Sequence, residues 1–478
     1  MVAHNILVVS DLHFGEELLP KASLDRRRAV ALGSTAFREF LRYHTARRRD
    51  GRPWRLVVAG DLFDFMSIVV PSIPGRPAKT HDERSFGLRR GALPGIERLR
   101  QICAAHAPML ADLARFAAAG HSIDIIAGNH DVELLVPDVA AELLRLIAAA
   151  APAIDAKALA RIRVVPWFVY IPGVAWIEHG HVYDEGCSFE FNLAPMDPKD
   201  GWLIHNADTA AVRYLGSAAP ELDPHGTESW SFWGYLRYAM SHGRSRSAIW
   251  LGYARFVKSL FVARALHNSR KRRERRQREH HARLAAIAAD TNMPVDQLRA
   301  IDRLARAPLT LSARRVSRML MLDRFGIGLG LAIAAIALLV LMPVVWALVG
   351  LATAGGAAVA ISRWLGAHLV TSQLPMRSVP ARLRKLVDAP VIVFGHTHDP
   401  RYQRLHSGGL YANAGTWLPA TRPGVRRSFT HVFISPSFRG GPPMCELRQW
   451  REGTSVPFDA GANVGAGVHT LPGVAVEI

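Results

Sequence analysis

Five short apolar runs in this chain each end in a cluster of Asp, Asn, Gly and His, and the clusters are spread from residue 11 to residue 398. The runs are Ile6–Val9, Leu56–Ala59, Ser122–Ala127, Val174–Glu178 and Val391–Phe394. They hand over in turn to Asp11-Leu-His13, Gly60-Asp61-Leu-Phe-Asp64, Gly128-Asn129-His130-Asp131, His179-Gly180-His181 and Gly395-His396-Thr-His398. Short apolar runs stopped by turn-forming residues read as strands. Helix-like segments lie between them, among them Ala29–Arg48, Ile96–Ala119 and Val139–Ala150, and the Pro-, Gly- and Arg-rich stretch 66–95 reads as a long loop. Alternating units with polar residues just past the strand ends predict a layered α/β sheet fold whose strand ends build one site.

A single Asp-x-His, or one His after a strand, is ordinarily a surface or capping residue. Five such clusters in order point to metal chemistry. Two divalent ions roughly 3.5–4 Å apart can share a carboxylate, activate a water and neutralise charge as a phosphoryl group is displaced. Asp, His and Asn supply the oxygen and imidazole donors that suit Mn²⁺, with Fe or Zn²⁺ as alternatives, and no thiolate is needed. The three cysteines, Cys103, Cys187 and Cys445, are odd in number and far apart. They exclude a disulfide scaffold or a Cys-rich zinc module and fit a reducing compartment.

From Asp11 to His398 the motif set resembles the calcineurin-like metallophosphoesterase superfamily. The resemblance implies a four-layer α/β/β/α core and a binuclear metallophosphoesterase, a phosphoric ester or diphosphate hydrolase with two divalent ions, Mn first. It implies that Asp11, His13, Asp61 and His398 hold one ion, and that Asp61 as bridge, Asn129, His179 and His396 hold the other. His130 would contact the phosphoryl group and protonate the leaving oxygen, with Asp131 as the second residue of that candidate catalytic pair. Asp64 and Asp131 are read as groups that orient a His or a loop. His181 is an alternative to His179 as ligand, and the strand-end position favours His179. The segment Tyr411-Ala-Asn413-Ala-Gly415-Thr-Trp417 is read as a packing and loop-shaping element. His205, His242, His280 and His281 are read as exposed or structural. Within the superfamily the His-Gly pair and the Gly-His-Thr-His ending look similar to the UDP-2,3-diacylglucosamine diphosphatase branch, which implies a nucleotide-linked lipid substrate. That branch typically has Arg where this chain has His130 and Asp where it has His181, and it is shorter. Other phosphorylated small molecules remain open as substrates, and the alternatives are a nuclease, a cyclic or simple phosphodiesterase, or an inactive membrane scaffold.

The net charge of +19 is unevenly placed. Residues 244–324 carry 20 Lys+Arg against 6 Asp+Glu, a surplus of +14, and the rest of the chain only +5. The peak is the run Arg270, Lys271, Arg272, Arg273, Arg275, Arg276 and Arg278, which suits anionic membrane lipid first, a solvated helix second and nucleic acid third. Aromatic residues are absent from 268–283, which removes stacking platforms for bases. Upstream, Ile249–Leu266 reads as an interfacial amphipathic helix. Downstream, residues 326–361 contain no charge at all, which predicts a transmembrane or re-entrant hairpin, with a buried helical pair or an oligomerisation surface as alternatives. A single crossing would separate His179 from His396, so an even number of crossings, or none, is required. The expected organisation is a core in two parts (1–200 and 381–450), a helical insertion (201–380) and a tail (451–478). No signal-peptide pattern precedes the first strand, so the expected place is the cytoplasmic face of a membrane, the bacterial inner membrane.

Overall fold

The computed structural model describes residues 4–218, 246–320, 322–341, parts of 343–360, 378–419, 428–437 and 441–459. It is a mixed α/β fold with about half of its described residues in helices. The strands in chain order are β1 (Asn5–Val9), β2 (Trp54–Ala59), β3 (Ser72–Ile73), β4 (Arg76–Pro77), β5 (Ser122–Ile126), β6 (Ile162–Val165), β7 (Phe168–Ile171), β8 (Ala175–Glu178), β9 (Val391–Phe394), β10 (Arg401–Arg404), β11 (Leu410–Asn413), β12 (Thr430–Ser435), β13 (Met444–Arg451) and β14 (Thr454–Pro457). One mixed seven-stranded sheet runs β14-β13-β12-β1-β2-β5-β6, and a five-stranded sheet runs β10-β11-β9-β8-β7. β1, β2, β5 and β6 are parallel, as are β8, β9 and β11, so their C-terminal ends point the same way within each sheet. The five predicted strands are all present, each within a residue or two of its expected bounds.

Period-two side-chain alternation explains why these strands read as unbroken apolar runs. Leu7, Val9, Leu56, Val58, Ile123 and Ile125 join a cluster with residues of the helices Leu24–Ala46, Ala92–Ala105, Ala107–Ala118 and Pro137–Ala150. Their alternates Ile6, Val8, Val57, Ala59 and Ile126 join Ala175, Ile177, Val391, Val393 and Ala412 of the second sheet. The opposite face of that sheet, with Trp176, Ile392 and Phe394, packs on Leu284, Ile287, Leu298 and Ile301 of the 201–380 region.

Three local expectations need correction. The helix expected over 96–119 is two helices, because Pro108 has no N–H to donate and the chain restarts after His106. The loop expected over 66–95 contains the β3–β4 hairpin and a helix, His81–Phe86. That helix is nucleated by a capping box in which Thr80 and Glu83 each accept from the other's backbone N–H. The transmembrane helix is the third. Among the described residues no helix is long and apolar enough to cross a membrane. The helix Leu322–Leu341 holds residues 326–341 of the apolar run, and its 20 residues give a rod of about 30 Å. Its first turn carries Asp323 and Arg324, so its uncharged part falls short of a ~30 Å hydrocarbon core. Residues 362–377, His242 and the tail beyond residue 459 lie outside the described residues.

The basic run forms the helix Arg270–Thr291, and it is partly spent on internal ion pairs. Arg276 is only 1% exposed and meets Glu190 at 2.8 Å, so it is corrected from membrane contact to structural anchor. Arg272 pairs with Asp197 at 2.7 Å, and Arg273 and His267 also reach Glu190. Lys271, Arg275 and Arg278 are exposed, as is Arg270, which pairs with Glu274.

A buried imidazole gives this fold a pH signature. His431 is fully buried beside Phe40 and Trp417, with Ser455 Oγ at 2.8 Å from its Nε2. Burial, helped by Arg448, pushes its pKa down to about 3. A depressed His favours folding above its ordinary pKa, and that contribution is lost as pH falls from about 6.5 towards 3. Its share is about 1.4 kcal/mol per pH unit within that window. His431→Gln therefore flattens the acid side of a Tm-against-pH curve between pH 6 and 4; an unchanged slope refutes the assignment.

Candidate metal centre

The five motif loops converge where β1, β2, β5, β8 and β9 end. Five of the candidate ligands sit on left-handed backbone: Asp11 (φ 56°), His13 (φ 51°), Asp61 (φ 53°), His396 (φ 68°) and His398 (φ 53°). Non-glycine residues rarely adopt this region, and such strain persists only where surrounding structure holds it. The holding contacts are visible. Leu12 and His13 N–H both donate to Asp61 O, Asp11 N–H donates to Gly60 O, and His396 N–H donates to Asp11 Oδ2 at 2.9 Å. The 411–417 segment braces the same loop: Thr416 Oγ1 and Trp417 N–H donate to Asp11 O, while Asn413 Nδ2 donates to Gly395 O.

Two donor sets result. In the first, His398 Nε2 lies 3.1 Å from Asp11 Oδ1 and 3.1 Å from His13 Nε2, and His13 Nε2 lies 3.9 Å from Asp61 Oδ2. In the second, His179 Nε2 lies 3.2 Å from Asp61 Oδ2 and 2.9 Å from Asn129 Oδ1. Asp61 thus stands between the two sets. His179 Nδ1 is 2.8 Å from the carbonyl of Ala59, which can only accept, so Nδ1 carries the proton of the neutral ring. The lone pair of Nε2 then faces two oxygens, and three acceptors converge on one point. Such a point is stable only with a cation, a proton or a metal, in it. Asp11, His13 and His398 form one cluster able to hold an ion, and Asp11, Asp61 and His179 another. His396 enters from the side: its ring centroid is 5.2 Å from that of His179, and its Nε2 is 3.3 Å from Asp184.

The charges of these groups are strongly coupled. Burial acts to raise the Asp61 and Asp11 pKa values, but neighbouring imidazoles outweigh it and hold both carboxyls below the usual range. Burial acts against a charged His179, yet Asp61 and Asp11 push it up to about 9. His130 is raised well above the ordinary value for the same reason, by Asp61 and Asp64, and its Nδ1 lies 3.2 Å from Asp64 Oδ1. His130 and His398 are 12% and 20% exposed while Asp11, His13, Asp61 and His179 are at most 2% exposed, so solvent reaches the centre from the His130–His398 side.

Asp131 fits the loop-orienting reading of the sequence rather than the catalytic pair with His130. Its carboxylate accepts from the N–H groups of Gly128, Leu62 and Phe63 and is fully buried, so it staples two motif loops together instead of facing a reacting group. Burial beside Asp61 pushes it up to about 7. His181 is buried next to His179, at a ring separation of 5.3 Å, and belongs to neither donor set. Of the other histidines, His205 and His280 are buried and hydrogen-bonded to Ser259 and Asp302 respectively, whereas His281 is exposed.

Three side chains that no motif announced complete the surroundings. Asp184 meets His396, and with Cys187 makes a further His/Cys/Asp grouping. Asp208 accepts from Asn129 Nδ2 at 3.0 Å. Arg90 donates to the carbonyl of His130 and forks onto Glu133. Asp184 lay only three residues past His181; Asp208, in the short helix Ala207–Ala211, and Arg90, in a loop, are single polar residues with no spacing to mark them. Compared with protein-family models and with curated proteins, the chain matches none.

Gly128 shows how tightly the loops are packed. A Cβ there would stand 2.1 Å from Asp61 Oδ1 and 2.7 Å from Asp61 N. Gly128→Ala must displace the central carboxylate, at a stability cost of about 1–3 kcal/mol for overpacking. The expected result is a folded protein with a lowered Tm and a shifted His179 imidazole resonance; an unchanged spectrum and Tm refute the packing.

Proposed function

We propose that the chain is a two-metal phosphoester or pyrophosphate hydrolase of the calcineurin-like metallophosphoesterase type. The observation that carries this reading is the Asp61 carboxylate placed between two His/Asp/Asn donor sets, one with His13, Asp11 and His398, the other with His179 and Asn129. Two sheets face to face, with helices packed on the outer face of each, support a four-layer core. The donor set fits hard or borderline divalent ions, Mn²⁺ first. When bound, two such ions activate water and offset the negative charge of a phosphoryl group in displacement.

The remaining roles fall to the chain itself. Asp64 accepts from His130 Nδ1 and so fixes the ring of a histidine that is 12% exposed, leaving Nε2–H as the group that would give a proton to a leaving oxygen. Asp131 and Arg90 hold the His130 loop in place. The left-handed backbone at five ligand positions fixes the donors before a ligand arrives, which lowers the ordering cost of binding.

The expected activity is Mn²⁺-dependent hydrolysis across a panel of simple phosphodiesters, nucleotide-diphosphate lipids and DNA. Asp61→Asn abolishes turnover of whichever substrate is cleaved and lowers the number of Mn²⁺ ions bound. His130→Gln keeps the ions but reduces kcat about 10²–10⁴-fold. Wild-type turnover that survives Asp61→Asn would falsify the two-metal reading, and cleavage confined to DNA would select the nuclease alternative.

Membrane lipid is the partner this reading favours, by peripheral contact. The helix Arg246–His267 buries Phe256, Leu260 and Ala263, and it also exposes Trp250, Leu251, Phe261 and Val262. Positions 250–251 and 261–262 are eleven residues apart, three helical turns, so they share one face. Lys271, Arg275 and Arg278 follow on the next helix and are exposed. An apolar stripe beside basic residues suits an anionic bilayer surface. At about 1 kcal/mol per charge, replacing Lys271, Arg275 and Arg278 by Glu weakens binding to phosphatidylglycerol vesicles at least ~100-fold. Equal flotation of wild type and the triple variant with these vesicles rejects the contact.

A further inference from the structure

The orientation of one amide decides whether the second donor set is a metal site at all. Asn129 can present either its carbonyl oxygen or its NH₂ group towards His179 and Asp61, and only the oxygen is a ligand. A carboxylate has no proton to give at neutral pH, so a carboxylate beside Asn129 obliges the NH₂ end to face it. Asp208 is that carboxylate: its Oδ2 accepts from Asn129 Nδ2 at 3.0 Å, on the side opposite His179 Nε2, which lies 2.9 Å from Asn129 Oδ1.

We infer that Asp208 is a positioning residue that fixes the Asn129 amide with its oxygen towards the second ion, and so sets the affinity of that ion alone. The inference rests on the two-metal reading above. Asp208 is itself well held. It stands in the helix Ala207–Ala211, which Asn206 caps by accepting from Thr209 N–H, and its own N–H donates to Gly186 O. Asn206 Nδ2 donates to Cys187 O, and Arg90 Nη1 lies 3.4 Å from Thr209 Oγ1. The same chain continues into Val212–Gly216, which packs on the helix Arg246–His267. The residue that orients a ligand from the first half of the chain therefore sits at the root of the region expected as the insertion. Partners that hold a ligand in place typically change metal affinity 10–100-fold when removed.

The test is a Mn²⁺ titration of chelator-stripped full-length protein by calorimetry, with the metal-free Tm measured in parallel. Wild type is expected to bind two ions. Asp208→Asn has the same shape but can donate, which frees the Asn129 amide to turn. It is expected to keep one ion at wild-type affinity and to bind the other 10–100-fold more weakly, with the metal-free Tm unchanged. Asn129→Asp in the Asp208→Asn background restores the donor–acceptor pair in reverse, and it is expected to recover the second ion. Asn129→Asp alone, with two carboxylates face to face, is expected not to. That reciprocal recovery is a readout a purely structural role would not produce. Two ions bound at wild-type affinity by Asp208→Asn overturn the inference, as does failure of the double variant to recover the second ion. Failure of wild type to bind any Mn²⁺ overturns instead the two-metal reading on which it rests.

Discussion

Two carboxylates, Asp11 and Asp61, are buried at the meeting point of the strand ends, with at most 1% of either residue exposed. An isolated buried carboxylate is costly, and burial is tolerated where opposite charge and hydrogen bonds surround it. Here every neighbouring element is arranged to provide them. His13, His179 and His398 turn ring nitrogens towards the two carboxylates, and the backbone N–H groups of His130 and His396 donate to Asp61 and Asp11. The left-handed turns at the ligand positions follow from the same requirement, since each loop must reverse within two residues of its strand to point a donor inward. The small residues beside them follow too. Gly60, at φ 85°, leaves room for the His179 ring, which a Cβ there would meet at 2.4 Å.

This dependence explains what could be read from the sequence. Strands buried on both faces appear as unbroken apolar runs, and loops that reverse sharply at their ends need Gly, Asp, Asn and His together. The five strands and the residues that line the two donor sets were therefore marked twice over, by hydropathy and by residue type. Asp208 and Arg90 carried neither mark. Each is one polar side chain outside any strand-end motif, and its role exists only through a partner 79 or 40 residues away. Asp131 was marked, and its residue type left two roles open, one catalytic and one loop-orienting. Residue type places a carboxylate in the loop; only the three N–H groups around it show that it fastens the loop.

The 326–361 stretch failed for a different reason. Absence of charge measures how unfavourable water is for a segment, and it leaves open how the backbone divides that segment. Pro343 lies two residues past Leu341, and the charged first turn of the helix Leu322–Leu341 shortens its apolar part. Residues such as Leu329, Ile333, Ile336 and Val340 remain exposed along it, so the hydropathy was read correctly and the span was not. His179 and His396 must share one side of any membrane, and their rings are 5.2 Å apart.

Charge has to be divided in the same way before it says anything about a partner. The surplus in residues 244–324 looks like a single basic surface, yet part of it is consumed inside the molecule. Glu190 collects Arg273, Arg276 and His267, and Asp197 collects Arg272. Both acids lie in the segment that follows His181 and leads to Asp208. Removing one member of such a buried pair leaves an uncompensated charge and costs about 3–5 kcal/mol. Arg276 therefore serves to fasten the basic helix to the loops around the candidate centre, and it adds nothing to the field outside. What a polyanionic surface would meet is the exposed remainder, which on this helix is Lys271, Arg275 and Arg278 with the paired Arg270 and Arg273. On the reading proposed above, exposed charge that follows an apolar stripe in the chain suits a lipid surface better than a nucleic-acid groove, where charge would have to follow a backbone and aromatic rings would have to meet bases.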